Sequence, residues 1–273
     1  MGGRLTGKRA VVLGASSTDN MGQHIARRFQ AEGATVLVSG RKQDALEAFA
    51  ADTGAHWAIC DITDPASVAA LADTAADKLG GIDIAVNASG WGLLKPFLDT
   101  THDELTQMTA LQFIGPFNFF QAMIRKMARS HGGGGGTLIQ ISSATAKIML
   151  EDHAAYMGTK AGTDHVIRCI ANQFGAEGIR ANSISPGFTD TPMNAGAKQV
   201  PGLFESFLPS YPLGRWGTSD DIAAAAVWLC EDECFMTGEN LQVNGGLTLR
   251  SNPTKADMGA SIAAAAAAAA AAN

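Results

Sequence analysis

The stretch YMGTK, Tyr156 to Lys160, sets a phenol and an ammonium four residues apart within the segment EDHAAYMGTKAGTDHVIRCIANQF. On a helix, positions i and i+4 share a face with about 5 to 6 Å between them, which puts the ammonium beside the phenolic oxygen. A free tyrosine titrates near 10. A cation roughly 4 Å away at an effective dielectric of about 20 contributes around 4 kcal/mol, so it can lower that value by at most about three units. Such a pair can act as a general acid and base near neutral pH. The plain alternative is a tyrosine and a lysine on a solvated helix face, and the pair alone does not decide between the two.

A second group of residues has the chemistry of a nucleotide site. The run RAVVLG leads into GASSTDNMGQHIARRF, Gly14 to Phe29. Small residues at a strand-to-helix turn let backbone N–H groups and a helix N-terminus approach a pyrophosphate. After the next β-branched run the chain reads VSGRKQ, with Gly40, Arg41 and Lys42 where a carboxylate would take the ribose 2′-hydroxyl of NAD. Two cations and no carboxylate suit a 2′-phosphate, so NADP(H) is the expected cofactor, with NAD(H) admitted as a second. The alternative is a pair of solvated charges opening a helix. Asp61 in CDITD is placed either to accept from an adenine amino group or to cap a helix.

These groups need a scaffold, and the chain has the bulk for one. It has 273 residues, 46% of them hydrophobic, and a net charge of −6 with the signs interspersed, which points away from a nucleic-acid partner. Cys60, Cys169, Cys230 and Cys234 form no CxxC pair and have no histidine at ligand spacing, so they read as reduced thiols of a cytoplasmic protein, with no metal site and no disulfide framework. No run has the length and apolarity of a signal peptide or a membrane span.

Seven β-branched runs, RAVVLG, ATVLVSG, AHWAIC, IDIAVNA, GTLIQIS, IRANSIS and ENLQVNGG, alternate with Ala-rich stretches. This is the pattern of a parallel sheet covered on both faces by helices, expected at about 20–32, 43–52, 66–79, 101–130, 154–176 and 219–231. The expected fold is a Rossmann-type, doubly wound α/β domain over residues 1–250. HGGGGG, His131 to Gly136, reads as a flexible surface loop. Residues 189–216 are rich in Pro and Gly yet carry Phe, Leu, Met and Tyr, the composition of an apolar lid over a substrate cleft. Residues 251–273, with ten consecutive alanines from Ala263, read as a low-complexity tail without a function.

Five ordered motifs resemble the short-chain dehydrogenase/reductase family, in its branch like the 3-oxoacyl-carrier-protein reductases and hydroxysteroid dehydrogenases, over about residues 5–249. They are NASG (Asn87 to Gly90), ISS with Ser143 thirteen residues before Tyr156, YMGTK, IRANSISPGFTDTPM, and PLGRWGTSDDIAAAAVWL running on to TGENLQVNGG. The resemblance implies that Tyr156 is the proton donor, Lys160 its electrostatic partner and a ligand of the nicotinamide ribose, and Ser143 the group that polarises the substrate oxygen. It implies cofactor contacts from Gly14, Ser16, Ser17, Asn20, Met21, Gly22, Arg41, Asp61, Ile62, Asn87, Ala88, Ser89, Pro186, Gly187, Thr189 and Thr191, besides Tyr156 and Lys160. The implied reaction is hydride transfer between nicotinamide and a carbonyl or secondary alcohol.

Two departures stand out. The glycine loop carries two extra residues, with Asn20 in the place of the middle glycine, where a left-handed backbone is expected of it. Asp19 next to it would repel a pyrophosphate unless it points away. Gln112 in ALQFIGPF stands where the family has an asparagine, and it is taken as a member of the site. His153 is either a substrate ligand or an ordinary helix-start histidine. Trp91, Ile148, Met149, Leu150, Phe188 and Met193 favour a bulky hydrophobic ketone or alcohol, although core packing explains each of them equally well. The long loop also admits an enoyl-thioester reductase, and a catalytically silent NADP(H)-sensing regulator is the third reading. The helices at 101–130 and 154–176 are apolar on more than one face, and relatives pair through them, so a homotetramer or a dimer is expected.

Overall fold

The computed structural model describes residues 3–271. The chain runs through β1 (Arg9–Leu13), α1 (Met21–Ala31), β2 (Thr35–Gly40), α2 (Gln43–Thr53), β3 (His56–Ile59), α3 (Pro65–Leu79) and β4 (Ile84–Asn87). It continues with α4 (His102–Thr109), α5 (Gly115–Met127), β5 (Gly136–Ile141), α6 (Ala154–Phe174) and β6 (Ile179–Pro186). The last part holds β7 (Thr189–Asp190), α7 (Ala195–Lys198), β8 (Gly217–Thr218), α8 (Ser219–Cys230), β9 (Asn240–Val243) and α9 (Lys255–Ala271).

Seven strands form one sheet in the order β3-β2-β1-β4-β5-β6-β9, parallel at every pairing. The order reverses direction between β1 and β4, which opens a crevice at the carboxyl ends of these strands. The apolar strands feed two cores because successive side chains point to opposite faces. Ala10, Val12, Val36, Val38 and Val86 pack with Ile25 and Phe29 of α1 and with Ile222 and Val227 of α8. Val11, Leu13, Leu37, Ala85 and Leu138 pack with Leu71 of α3, Phe119 and Met123 of α5, and Ile167 of α6. The sheet is thus doubly wound, as its sequence periodicity implies.

The expected helix at 101–130 is in fact α4 and α5 joined by a π turn, Ala110–Ile114. Pro116 has no N–H to give to the Gln112 carbonyl, so regular α-helical bonding stops there. The Gln112 carbonyl instead accepts from the Thr163 hydroxyl at 2.6 Å. HGGGGG is also more than a loose loop. Gly136 opens β5 with φ 146, and a β-carbon there would lie 2.2 Å from the Asp83 carbonyl oxygen.

The 189–216 segment, expected as an apolar lid, packs as a wall of aromatic side chains. Phe188 stacks on Phe207 with centroids 4.2 Å apart, Phe204 meets Trp216 edge to face at 5.0 Å, and β7 pairs with β8. The tail departs furthest from expectation, because α9 docks on this wall. Met258 packs into the same cluster, the Ser261 hydroxyl donates to the Gly202 carbonyl at 2.6 Å, and Asn252 Nδ2 donates to the Met149 carbonyl at 3.0 Å. Burial of a few anchoring side chains fixes the start of a run whose alanines by themselves specify only helix. Ala272 and Asn273 lie outside the described residues.

Candidate active site

The crevice beside β1 and β4 is a cleft of about 1100 Å³. Its nucleotide end is built by backbone geometry. Gly14 has φ 100, and a β-carbon there would lie 2.5 Å from the Ala88 carbonyl carbon, so the β1 turn passes β4 at a distance that no other residue permits. Asn20 is the N-cap of α1: its Oδ1 accepts from the Gln23 N–H at 3.0 Å, while its Nδ2 donates to the Gly14 carbonyl at 2.8 Å. Its backbone is extended, with φ −86, not left-handed as expected from the sequence. An N-cap requires that extended form, so the turn falls one residue earlier, on Asp19 with φ 59. The Asp19 carboxylate turns to His24 Nε2 at 2.9 Å, and His24 Nδ1 meets Asp220 at 2.8 Å. Burial acts to lower the His24 imidazole, but the Asp220 and Asp19 carboxylates outweigh it and hold it above its ordinary value.

Of the cofactor contacts implied by resemblance, Gly14, Ser16, Ser17, Asn20, Met21, Gly22, Arg41, Ile62, Ala88, Ser89, Pro186, Gly187, Thr189 and Thr191 line the cleft, as do Tyr156 and Lys160. Asp61 and Asn87 do not. The Asp61 carboxylate accepts from the Thr63 N–H and hydroxyl at 2.9 and 2.7 Å, which hold it below its ordinary value, and it thus closes a local turn. Cys60 and Thr63 take the wall on either side of it. Asn87 is fully buried, donating to Gln140 Oε1 at 2.9 Å and accepting from the Ser89 hydroxyl at 2.6 Å, so it supports the cleft from below.

The reactive groups converge on the far wall. Ser143 follows β5, and its hydroxyl lies 2.8 Å from that of Thr145. Tyr156 and Lys160 rise from α6, whose spacing puts the Lys160 ammonium 5.5 Å from the phenol ring centre. Lys160 is buried and donates to the Ile141 carbonyl at 2.8 Å. Burial sets the acidities here. It pushes the Tyr156 phenol up to about 12, against the Ser143 hydroxyl, and brings the Lys160 ammonium down to about 8, against the Asp164 carboxylate. The phenol therefore lies above its ordinary value and not below it as its spacing from Lys160 implied, because desolvation disfavours phenolate and ammonium alike.

Gln112 is buried outside the cleft lining, at its back. Its Nε2 donates to Thr159 Oγ1 at 3.2 Å and its Oε1 accepts from the Trp91 N–H at 3.4 Å, so it ties the turn after β4 to α6. His153 is buried, with Nδ1 2.8 Å from the Leu93 carbonyl and its ring stacked on Tyr156 at 4.3 Å. Trp91 and Met193 line the cleft, Phe188 belongs to the aromatic wall, and Met149 is exposed. Gln107, Leu111 and Asn194 also line the cleft. The proximity of Asn194 to Thr191 is a sequence signal, whereas Gln107 and Leu111 reach the cleft through the fold of α4 and the π turn alone.

A parallel sheet with a glycine-lined turn at its switch point, and Ser, Tyr and Lys on one wall, defines a dinucleotide-binding α/β oxidoreductase. A family model described as Enoyl-(Acyl carrier protein) reductase matches residues 14–248. D-threitol dehydrogenase of Mycolicibacterium smegmatis is 35% identical over 90% of this chain and 95% of its own. 7alpha-hydroxysteroid dehydrogenase of Escherichia coli K12 is 34% identical over 89% of this chain and 95% of its own. A crystal structure of a gluconate 5-dehydrogenase from Burkholderia cenocepacia J2315, in complex with NADP and tartrate, superposes with a TM-score of 0.84 at 28% identity, covering 90% of this chain and 97% of that one. The chain belongs to the short-chain dehydrogenase/reductase family, and it is an oxidoreductase acting on CH–OH and C=O groups.

Proposed function

We propose that the chain is an NADP(H)-dependent oxidoreductase acting on the carbonyl or secondary alcohol of a bulky hydrophobic substrate, with Tyr156 as its general acid and base. The observation that carries this reading is the position of Ser143, Tyr156 and Lys160 on the wall of the cleft into which the glycine turn opens. The residues present fit a dinucleotide: the close approach at Gly14 leaves room for a diphosphate beside the N-terminus of α1, an 11-residue helix. Arg41 and Lys42 at the end of β2 supply cations for a 2′-phosphate. Pro186, Gly187, Thr189 and Thr191 would hold the carboxamide end.

The nicotinamide, when bound, supplies or accepts the hydride. Ser143 Oγ orients the substrate oxygen and stabilises the charge that develops on it. Tyr156 Oη delivers the proton to that oxygen in reduction and removes it in oxidation, while Lys160 Nζ, held by the Ile141 carbonyl, supplies the positive field. The Gln112 carboxamide keeps the Trp91 turn against α6.

Trp91 and Met193 in the cleft wall, with Leu94 and Met149 exposed, support a hydrophobic substrate body. Residues 1–250 act as one catalytic domain, with the 189–216 wall shaping the substrate end. Exposed Leu105, Ile114 and Phe117 on α4, the π turn and α5 support assembly through this face into a homotetramer or dimer in the cytoplasm. The test is NADPH oxidation against a panel of ketones, quinones and enoyl thioesters, with Tyr156→Phe as control. Turnover of hydrophobic ketones that Tyr156→Phe abolishes is the expected result. Turnover of enoyl thioesters alone would assign the alternative reductase chemistry, and tight NADPH binding with no turnover would assign a sensor.

A further inference from the structure

Behind the reactive wall lies a carboxylate that this reading leaves without a role. Asp164 stands one helical turn beyond Lys160 on α6, so the two side chains share a face. Lys160 is 4% exposed, and its ammonium makes one protein hydrogen bond, to the Ile141 carbonyl. A buried ammonium has three donors and is costly without a compensating charge. Asp164 Oδ2 accepts from the Ser142 hydroxyl at 2.8 Å and from Asn240 Nδ2 at 2.5 Å, while Oδ1 is buried with no hydrogen-bond partner. Asn240 is fixed in turn by Gln242 Nε2, which donates to its Oδ1 at 2.6 Å, so β9 backs the carboxylate. Ser142 sits between Ile141, whose carbonyl anchors Lys160, and Ser143, whose hydroxyl faces the cleft. One carboxylate therefore grips the turn that carries both.

We propose that Asp164 is a positioning residue for the acid/base pair: through Ser142 it fixes the Ile141–Ser143 turn, and it lends buried Lys160 the negative charge that keeps the ammonium protonated. The inference rests on the roles given above to Tyr156 and Lys160. Asp164 is the charged group that acts on Lys160 against burial, and it raises the Tyr156 phenol as well. Other elements around Lys160 present neutral groups: the Ile141 carbonyl from the end of β5, Gly90 from the turn after β4, where an added β-carbon would lie 3.8 Å from the ammonium, and Gln112 of the π turn beside Gly90. On α6 itself the titratable neighbours are Tyr156 and Asp164.

Asp164→Asn keeps the shape and deletes the charge. The alkaline limb of kcat/KM for NADPH-dependent reduction of 9,10-phenanthrenequinone, a general carbonyl probe, is expected to move to lower pH by about one unit, the size of one Coulomb term at intermediate dielectric. The Lys160 13Cε resonance of the cofactor-free protein, assigned with Lys160→Arg, is expected to titrate lower by a similar amount. Asp164→Glu restores most of both shifts. An unmoved limb and an unmoved Lys160 titration in Asp164→Asn overturn the proposal even if the melting temperature falls, since a purely structural carboxylate would change stability alone. If Asp164→Asn does not fold, Asp164→Ser is read in the same way. Failure of wild type to turn over any carbonyl sinks the proposed function instead, and the Lys160 titration then still judges Asp164.

Discussion

The Thr163 hydroxyl donates to the Gln112 carbonyl at 2.6 Å, bridging α6 to the π turn at the one place where Pro116 leaves that carbonyl without its helical partner. The bond joins the helix that carries Tyr156 and Lys160 to the turn that carries Gln112, which in turn holds Trp91. Thr163 is 1% exposed, so water cannot replace it. Thr163→Val keeps the volume and orphans the carbonyl. It is expected to lower stability by about 1 to 3 kcal/mol, the cost of one unsatisfied buried acceptor, read by urea denaturation.

Ser143 has a narrower role. Its hydroxyl pairs with that of Thr145, accepts from the Thr145 N–H at 3.2 Å as the cap of a short turn, and faces the cleft. Ser143→Ala should still fold, losing about 1 kcal/mol with the cap, and lose roughly a hundredfold to a thousandfold in kcat, the usual effect of removing one donor to a developing oxyanion. A loss confined to KM would place Ser143 in substrate binding alone.

Arg41 tests cofactor choice. It stands at the end of β2, at the cleft, with no carboxylate beside it in sequence. Arg41→Asp should weaken NADPH binding by about tenfold to a hundredfold, the value of one charge-assisted hydrogen bond, and leave NADH binding unchanged or improved. Fluorescence titration of the two cofactors measures both. Equal weakening of the two would show that Arg41 does not read the 2′-phosphate.

His24 gives a pH dependence with a definite sign. Its folded value lies above the ordinary imidazole because Asp220 and Asp19 together outweigh burial. The stability it contributes is fully present below the unfolded value, near 6.5, and is lost as pH rises through the folded value. Melting temperature should fall across that interval in wild type, and His24→Gln should flatten this part of the profile. The same pairing anchors the inserted glycine-loop residues to α8, so the variant should also bind NADPH more weakly.

Much of this protein was legible before any fold was drawn. Continuous apolar runs such as Val36 to Val38 required strands covered on both faces, and Pro65 with Gly80 bounded α3, because local sterics and capping act within a few residues. The spacing of Tyr156 and Lys160 put both on one face of α6, since helical periodicity is a local property. Tertiary structure decided the rest. Strand order decided that the turn after β1 meets Ser143 and Lys160 across one cleft. The capping demand on Asn20 moved the left-handed residue to Asp19, and the π turn holds Gln112 where its side chain braces Trp91 and Thr159 behind the cleft lining. Burial raised the Tyr156 phenol where spacing alone implied a lower value, because desolvation depends on everything packed around a group and no short stretch of sequence contains that. The alanine tail became a docked helix for the same reason: Met258 joins a cluster drawn from Ala144, Ile148, Leu247 and the 188–216 segment, and Ser261 bonds Gly202.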